Sequence, residues 1–323
     1  MQLSVIIPVY NSAPFLHRSL GSVCASPVQD MEIICVNDGS SDDSAKLLDK
    51  MAAEDPRIRV IHQENSGVSA ARNAGMDAAT GDYICFVDGD DSVEPDFLPE
   101  LLAETQNHPL ADCIIGGHCR CSGEASTPRP ACTGEAKASS RPGMQLRLYA
   151  WGKLYRTAML REHGIRFAED VSYGEDTLFT HMAFPLCREI ILSPSCGYSY
   201  HACPDSLSSR GCMLCADLAN ATRHLACHLA AHPAAAQRES YLTDFAAHAL
   251  RRIRSMAPHR AQRTCAAKVR AALRKLSLTP ETLPDTLSDK NRRLLQKVLC
   301  GSAALGPWYY WKRLTRLLKR WSR

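Results

Sequence analysis

Three carboxylates fall within four residues at Asp88-Gly89-Asp90-Asp91, directly after the apolar run Tyr83-Ile84-Cys85-Phe86-Val87. Like charges gathered beside a core strand repel one another, so the run calls for a positive partner. Hard oxygen donors on one short loop suit Mg²⁺ or Mn²⁺, which keep several waters and take one or two carboxylates plus substrate phosphates. Gly89 allows a tight turn, so that the flanking aspartates face one ligand. A metal held this way would neutralise a diphosphate and make it a better leaving group. The plainer alternative is a solvated acidic turn capping a helix over 95–105. The position after a buried strand, matched by Asp38 two strands earlier, favours the ligand.

The elements that must position these groups are legible in the first hundred residues. "LSVIIPVY" (3–10), "MEIICVND" (31–38), "IRVIHQE" (58–64) and "DYICFVD" (82–88) are short runs rich in Val and Ile. Helix-like segments separate them: Phe15 to Cys24, Ser44 to Ala53 and Ser69 to Ala78. Apolar residues on successive positions mark strands covered on both faces, hence a mostly parallel α/β sheet flanked by helices. "SSDDS" at 40–44 supplies side chains able to cap a helix start. In such sheets ligands bind beyond the carboxyl ends of the strands, where Asn37, Asp38 and the 88–91 run fall. Further on, "ADCIIGGHCRC" reads as one strand and residues 122–143, rich in Ser, Pro, Gly and Thr, as a loop or insertion. "LYAWGKLYRTAML" and "SYGEDTLFTHMAF" read as helices and "REIILSP" as a strand. From about Met213 to 300, Ala, Leu, His and Arg at helical spacing predict a helical annex.

Composition narrows the class. The 323 residues are 45% hydrophobic and 22% charged, as in an ordinary globular protein. No apolar run approaches the roughly 20 residues needed to span a bilayer. "MQLSVIIPVYNS" lacks a basic segment and a small-residue cleavage site, so it reads as a core strand and the expectation is a cytoplasmic chain. The 15 cysteines are then reduced, mostly buried thiols. His118-Cys119 with Cys121, and Cys212 with Cys215, lack a paired CxxC framework and read as packing rather than zinc sites.

Taken together, the motifs resemble family 2 glycosyltransferases, with the GT-A (Rossmann-like) nucleotide-diphospho-sugar transferase fold. "SVIIPVYN" (4–11), "VNDGSSDDS" (36–44), "ENSGVSAARNAG" (64–75) and "FVDGDD" (86–91) carry the likeness, followed in order by "WGKLYR" (151–156), "YGEDTLF" (173–179) and "YSYHACPDSLS" (198–208). It covers residues 1–210, divided into a nucleotide-sugar half (1–110) and an acceptor half (111–210). The annex (211–300) and tail (301–323) lie outside it.

The resemblance implies that Pro8, Tyr10, Asn11 and Asp38 line the base pocket, Asp38 accepting hydrogen bonds from the base, most often uracil. It implies that Arg72 fixes its loop against the nucleotide, that Asp88 meets the ribose or sugar, and that Asp90 ligates Mn²⁺ or Mg²⁺ under the diphosphate. Asp91 is either a second ligand or a residue that orients the loop. His201 falls where related enzymes sometimes place another metal or phosphate contact, and a packed histidine fits there equally. Family members are inverting, so a carboxylate should take the proton of the attacking hydroxyl. Asp176 is that candidate, with Glu175 as its support or the alternative base. On the residues alone, this pair reads as favourable charge at a helix start. Trp151 and Lys153 are acceptor-site candidates, by stacking on a sugar and contacting phosphate, and would equally serve as buttresses of the fold.

The expected partners are a nucleotide-diphospho-sugar, of UDP type, and a glycan or lipid-linked acceptor in cell-surface polysaccharide or glycolipid synthesis. A nucleotidyltransferase would want a glycine-rich basic loop where "PVYNSAPFL" stands, and a dinucleotide oxidoreductase a G-x-G-x-x-G after the first strand. Retention of both Asp90 and Asp176 argues against a non-catalytic binding module of the same fold. The net charge is +4, but the last 23 residues hold six Lys or Arg and no acid, so the rest carries −2. In "PWYYWKRLTRLLKRWSR", helical spacing gathers Trp311, Leu314, Leu317, Leu318 and Trp321 on one arc and the cations on the other. That pattern suits the surface of an anionic membrane, peripherally on its cytoplasmic face, and equally a helix packed on the annex. The acidic cleft argues against nucleic acid as a partner.

Overall fold

The computed structural model describes residues 2–122, 125–129, 149–201, 215–235, 237–256, 259–285 and 287–300. Two compact units emerge, one of residues 1–210 with 232–238 and one of 211–231 with 239–323.

The first unit is built on β1 (Leu3–Val9), β2 (Met31–Asp38), β3 (Ile58–Gln63) and β4 (Tyr83–Phe86), with α1 (Ala13–Cys24), α2 (Ser44–Glu54) and α3 (Val68–Ala78) between them. β1 is buried at every position, as a strand covered on both faces must be. It pairs in parallel with β2 from Leu3↔Met31 to Val9↔Asn37, and with β4 from Leu3↔Tyr83 to Ile6↔Phe86. The shorter β4 pairing releases the chain just before Asp88. β5 (Ser92–Val93) and α4 (Phe97–Asn107) follow. Because β5 separates residues 88–91 from α4, whose N-cap is Asp96, the acidic turn does not cap that helix.

Two sequence expectations are corrected beyond this point. "ADCIIGGHCRC" is not one strand: β6 (Cys113–Ile115) and β7 (His118–Ser122) lie in different sheets, parted at Gly116-Gly117. A Cβ on Gly116 would come within 2.6 Å of the Phe97 ring, so the chain turns there in space no side chain could share. "LYAWGKLYRTAML" is not a helix: Gly152, at φ +66, precedes β9 (Lys153–Arg156), and only α5 (Thr157–Glu162) is helical. β9 inserts antiparallel between β4 and β6. After α6 (Glu175–Ala183), β10 (Ile190–Leu192) completes a 7-stranded sheet of order β10-β6-β9-β4-β1-β2-β3. β8 (Ala125–Arg129), within the expected loop, and β11 (Tyr198–His201) join a smaller sheet of order β5-β11-β7-β8.

An aromatic cluster ties these elements together beneath the strand ends. Phe86 meets Phe167 edge-on at 5.2 Å and Phe179 at 5.7 Å, while Phe167 stacks on Phe179 at 4.1 Å. Tyr155 of β9 closes on Phe179 at 5.4 Å. Rings of this size bury enough apolar area, with preferred edge-on geometry, to fix the start of α6 against the end of β4.

The second unit consists of α7 (Cys215–Ala231), most of α8 (Arg238–Met256), α9 (His259–Arg274) and α10 (Asp289–Leu299). Leu225, Leu229, Phe245, Leu250, Val269, Leu273, Leu295 and Val298 form its buried stripes. Among the described residues no helix is long and apolar enough to cross a membrane. Cys212 and the 301–323 tail lie outside the described residues. His118 packs against the Tyr149 and Trp151 rings, and Cys119 donates to the Cys196 carbonyl.

Candidate active site

Arg72 is a positive partner that reaches the acidic run by an ion pair. Carried on α3 and 3% exposed, it reaches Asp88 Oδ1 at 2.8 Å, Asp176 Oδ1 at 2.9 Å and Glu175 Oε1 at 3.3 Å. Its guanidinium also sits 5.0 Å from the centre of the Phe167 ring. Burial alone would lower its pKa, but Asp176, Asp88 and Glu175 together push it up, so it stays charged. Its charge is directed at three carboxylates from two distant segments. Its neighbour Asn73 braces the same junction. Asn73 Nδ2 donates to the Phe167 carbonyl at 2.9 Å, and the Phe167 N–H donates back to Asn73 Oδ1 at 2.9 Å.

Glu175 and Asp176 form the first turn of α6, where negative charge is favoured, behind Gly174 in the left-handed region at φ +82. Asp176 is 19% exposed, with Oδ1 buried toward Arg72. Burial raises its pKa well above the usual carboxylate range. Arg72 opposes that, Glu175 and Asp88 add to it, and Lys153 opposes it more weakly.

In the acidic turn the three aspartates have different surroundings. Asp88 and Asp90 are half-buried, whereas Asp91 is 1% exposed. Both Asp91 oxygens accept hydrogen bonds, Oδ2 from the Tyr198 hydroxyl at 2.7 Å and Oδ1 from the His201 N–H at 2.9 Å. Both Asp91 oxygens are thus held by β11, an arrangement in keeping with a residue that orients the loop. The His201 Nε2 lies 3.0 Å from Ser92 Oγ. Asp90 has its pKa raised by burial and by Asp88, with Arg18 opposing, and Arg18 donates to the Asp90 carbonyl. A Cβ on Gly89 would stand 3.0 Å from the Pro8 carbonyl, which shows how closely the turn approaches β1.

Among the described residues no group of three His, Cys, Asp or Glu side chains is arranged to hold a metal ion. Asp88 and Asp90 nevertheless fit one that brings its own oxygen ligands. Elsewhere, buried Asp112 is matched by two arginines, Arg188 at 2.6 Å and Arg156 at 3.1 Å. Here Asp88, Asp90, Asp91, Glu175 and Asp176 outnumber the cations beside them, leaving room for a further positive charge. Two carboxylates with water and substrate phosphates form a common Mg²⁺ or Mn²⁺ environment.

On the other side of the strand ends, the loops after β1 and β2 are joined. The Asn11 N–H donates to Ser40 Oγ at 3.0 Å, and Asn11 Oδ1 accepts from the Ser41 N–H at 2.8 Å. Asn11 takes the left-handed φ of +48 to do so. Pro8 is buried, while Tyr10 is 52% exposed and open to a ligand. Asp38, 3% exposed, accepts from Gln63 Nε2 and the Ser66 N–H through Oδ1, and from the Gly67 N–H through Oδ2. It thereby shapes the loop leading into α3, with little accepting capacity left for a base.

Of the two readings of Trp151 and Lys153, burial favours buttresses of the fold. Trp151 is 6% exposed, with Tyr149 stacked on it at 4.5 Å and Tyr198 at 4.3 Å, both nearly parallel. Its faces are occupied by protein, so it has none to offer a sugar. Lys153 is 1% exposed and donates to the Tyr149 and Trp151 carbonyls. Burial pushes its pKa down to about 8. Sequence reasoning missed Asn73 and Tyr198. Both stood inside quoted motifs, but their partners lie about a hundred residues away.

The comparisons with known proteins settle the family. The model for glycosyl transferase family 2 matches residues 4–165, half of the chain. The chain belongs to glycosyl transferase family 2. An uncharacterized glycosyltransferase of Bacillus subtilis, EpsJ, is 35% identical over 216 residues, covering 64% of this chain and 62% of that protein. The chain thus spans less than two thirds of that relative's length. Staphylococcus aureus TarS 1–349, in complex with UDP-GlcNAc, superposes with a TM-score of 0.76 at 22% identity, over 94% of this chain and 88% of that one. The mannosyltransferase PcManGT of Pyrobaculum calidifontis, in complex with GDP-Man and Mn²⁺, gives a TM-score of 0.51 at 17% identity, over 94% and 86%. Both likenesses show the GT-A fold. Glu175 and Asp176 lie beyond the end of the family match.

Proposed function

We propose that the chain is an inverting glycosyltransferase that moves a sugar from a UDP-sugar to the hydroxyl of a glycan or lipid-linked acceptor, with Mn²⁺ or Mg²⁺ at the acidic turn. The observation that carries this reading is the convergence of Asp88, Glu175 and Asp176 on Arg72 beside the carboxyl end of β4. Donor-side and acceptor-side carboxylates are thereby held at one point.

Asp90, with Asp88 beside it, would hold the metal, which when bound would offset the diphosphate charge as the leaving group departs. Tyr10 is exposed above the Asn11–Ser41 junction and would cover the base. On the far side, Asp176 would accept the proton of the acceptor hydroxyl as it attacks the anomeric carbon opposite the leaving group. Burial makes its carboxylate more basic, which suits a general base working near neutral pH. Arg72 opposes that rise and fixes where the carboxylate points. UDP-GlcNAc in TarS, together with GDP-Man and Mn²⁺ in PcManGT, supports a nucleotide-sugar donor and a divalent metal. The 301–323 tail, with six cations and no acid, would dock the protein on the inner face of the cytoplasmic membrane, where lipid-linked acceptors are presented.

A panel of UDP-, GDP- and dTDP-sugars tests this by hydrolysis with Mn²⁺ and with EDTA. Mn²⁺-dependent turnover confined to UDP-sugars is expected. Absence of binding and turnover across the panel would contradict the reading.

A further inference from the structure

We propose that Tyr198 is a positioning residue for the metal–diphosphate site, acting through the backbone of Asp88 and the carboxylate of Asp91. The inference rests on the reading that Asp88 and Asp90 hold a divalent metal.

Tyr198 lies on β11, in the smaller sheet, 110 residues from the turn in sequence, and is fully buried. Its hydroxyl accepts from the Asp88 N–H at 3.2 Å and donates to Asp91 Oδ2 at 2.7 Å. The Asp91 N–H closes the turn onto the Asp88 carbonyl at 3.1 Å. One oxygen atom therefore grips both ends of Asp88-Gly89-Asp90-Asp91. The His201 N–H, from the same strand, takes the other Asp91 oxygen at 2.9 Å. Asp91 is drawn inward onto β11, and Asp88 and Asp90 remain to face a ligand.

A buried tyrosine usually finds some partner for its hydroxyl, so bonding alone would not single Tyr198 out. Tyr155 makes the contrast: it is equally buried, and among the described residues its hydroxyl has no hydrogen-bond partner. Placing a carboxylate where Asp91 stands is costly unless it is fully bonded. Tyr198 and His201 bond both its oxygens, by contacts that run between the turn and β11. The ring cannot drift, because Trp151 stacks on it at 4.3 Å and Phe97 meets it edge-on at 6.3 Å. This also gives Trp151 a role: it holds Tyr198 rather than a sugar. Metal sites need their carboxylates placed within about 0.5 Å, and residues that orient ligands typically matter 10–100-fold in metal affinity.

The test is Tyr198→Phe, which removes one oxygen and keeps the stacked ring. UDP binding is measured by calorimetry across a Mn²⁺ titration and in EDTA, with Tyr200→Phe on the same strand as control. The Mn²⁺ half-saturation concentration should rise about tenfold or more in Tyr198→Phe, while UDP affinity in EDTA and the behaviour of Tyr200→Phe stay at wild-type values. An unaltered Mn²⁺ dependence would overturn the inference. So would an equal loss of metal-free UDP affinity, which would mark a general loosening of the fold. A wild type whose UDP binding ignores Mn²⁺ would refute the metal reading itself, and this inference with it.

Discussion

Replacing Arg72 by Met keeps an unbranched apolar stem but removes the guanidinium that faces Asp88, Glu175 and Asp176 and sits over the Phe167 ring. The three ion pairs measure 2.8, 3.3 and 2.9 Å, and Arg72 is 3% exposed. Each pair is worth about 4 kcal/mol gross, at roughly 4 Å between charge centres and an effective dielectric near 20. Desolvation of the guanidinium offsets much of that. Removing one partner from such a buried network costs about 3–5 kcal/mol, because the other charges are left uncompensated. The loss should depend on pH. Without Arg72, Asp176 loses the cation that opposes the rise caused by burial, and its folded-state pKa moves further up relative to that in the unfolded chain. A carboxylate raised in this way favours folding below its unfolded pKa and loses that contribution as pH rises through its folded pKa. The deficit of Arg72→Met should therefore be full near pH 8 and shrink toward pH 5 as Asp176 takes up its proton. Urea unfolding followed by tryptophan fluorescence, at pH 8, 7, 6 and 5, measures it. A deficit under about 1 kcal/mol, or one that is constant across pH, would refute the charge argument and leave Arg72 as a packing residue.

Asp176→Asn should retain UDP binding while transfer slows by about 10² to 10⁴, the usual loss when general-base assistance goes. If Glu175→Gln instead carries that loss and Asp176→Asn transfers at the wild-type rate, the two roles are exchanged. Trp151→Ala should lower stability by about 3–5 kcal/mol, as for a large buried aromatic; a fully stable variant defective only toward acceptor would restore Trp151 to the acceptor site. A chain ending at Gly306 should lose sedimentation with anionic liposomes while neutral liposomes pellet neither version. Equal pelleting of both versions with anionic lipid would remove the tail from membrane docking.

The parallel half of the sheet was legible because β1, β2 and β4 are covered on both faces, and their Val- and Ile-rich runs admit few other structures. β9 was misread as helix because Leu148, Trp151, Leu154 and Tyr155 also suit a helical stripe. What decides the matter is non-local: β9 fills the gap between β4 and β6, and Gly152 sets the turn into it. The same holds for the site. The acidic turn announces itself by local charge density, and the pair at 175–176 by its place at a helix start. That Arg72 joins them is a contact spanning 16 residues to Asp88 and 103 to Glu175, which no local pattern carries. The two readings of Trp151 and Lys153 divide on a related point. Residue type says what a side chain can bind, but here burial against Tyr149, Tyr198 and the chain's own carbonyls decides what they do bind.

The central claim is that Asp88-Gly89-Asp90-Asp91 holds a divalent metal with the diphosphate of the donor. Calorimetry of UDP binding to wild type and to Asp90→Asn, each with Mn²⁺ and with EDTA, tests it most directly. Wild type should bind UDP far more tightly with Mn²⁺, and Asp90→Asn, folded to the same thermal midpoint, should bind it no better with Mn²⁺ than without. Wild-type binding indifferent to Mn²⁺, or a full Mn²⁺ response in Asp90→Asn, would contradict the claim.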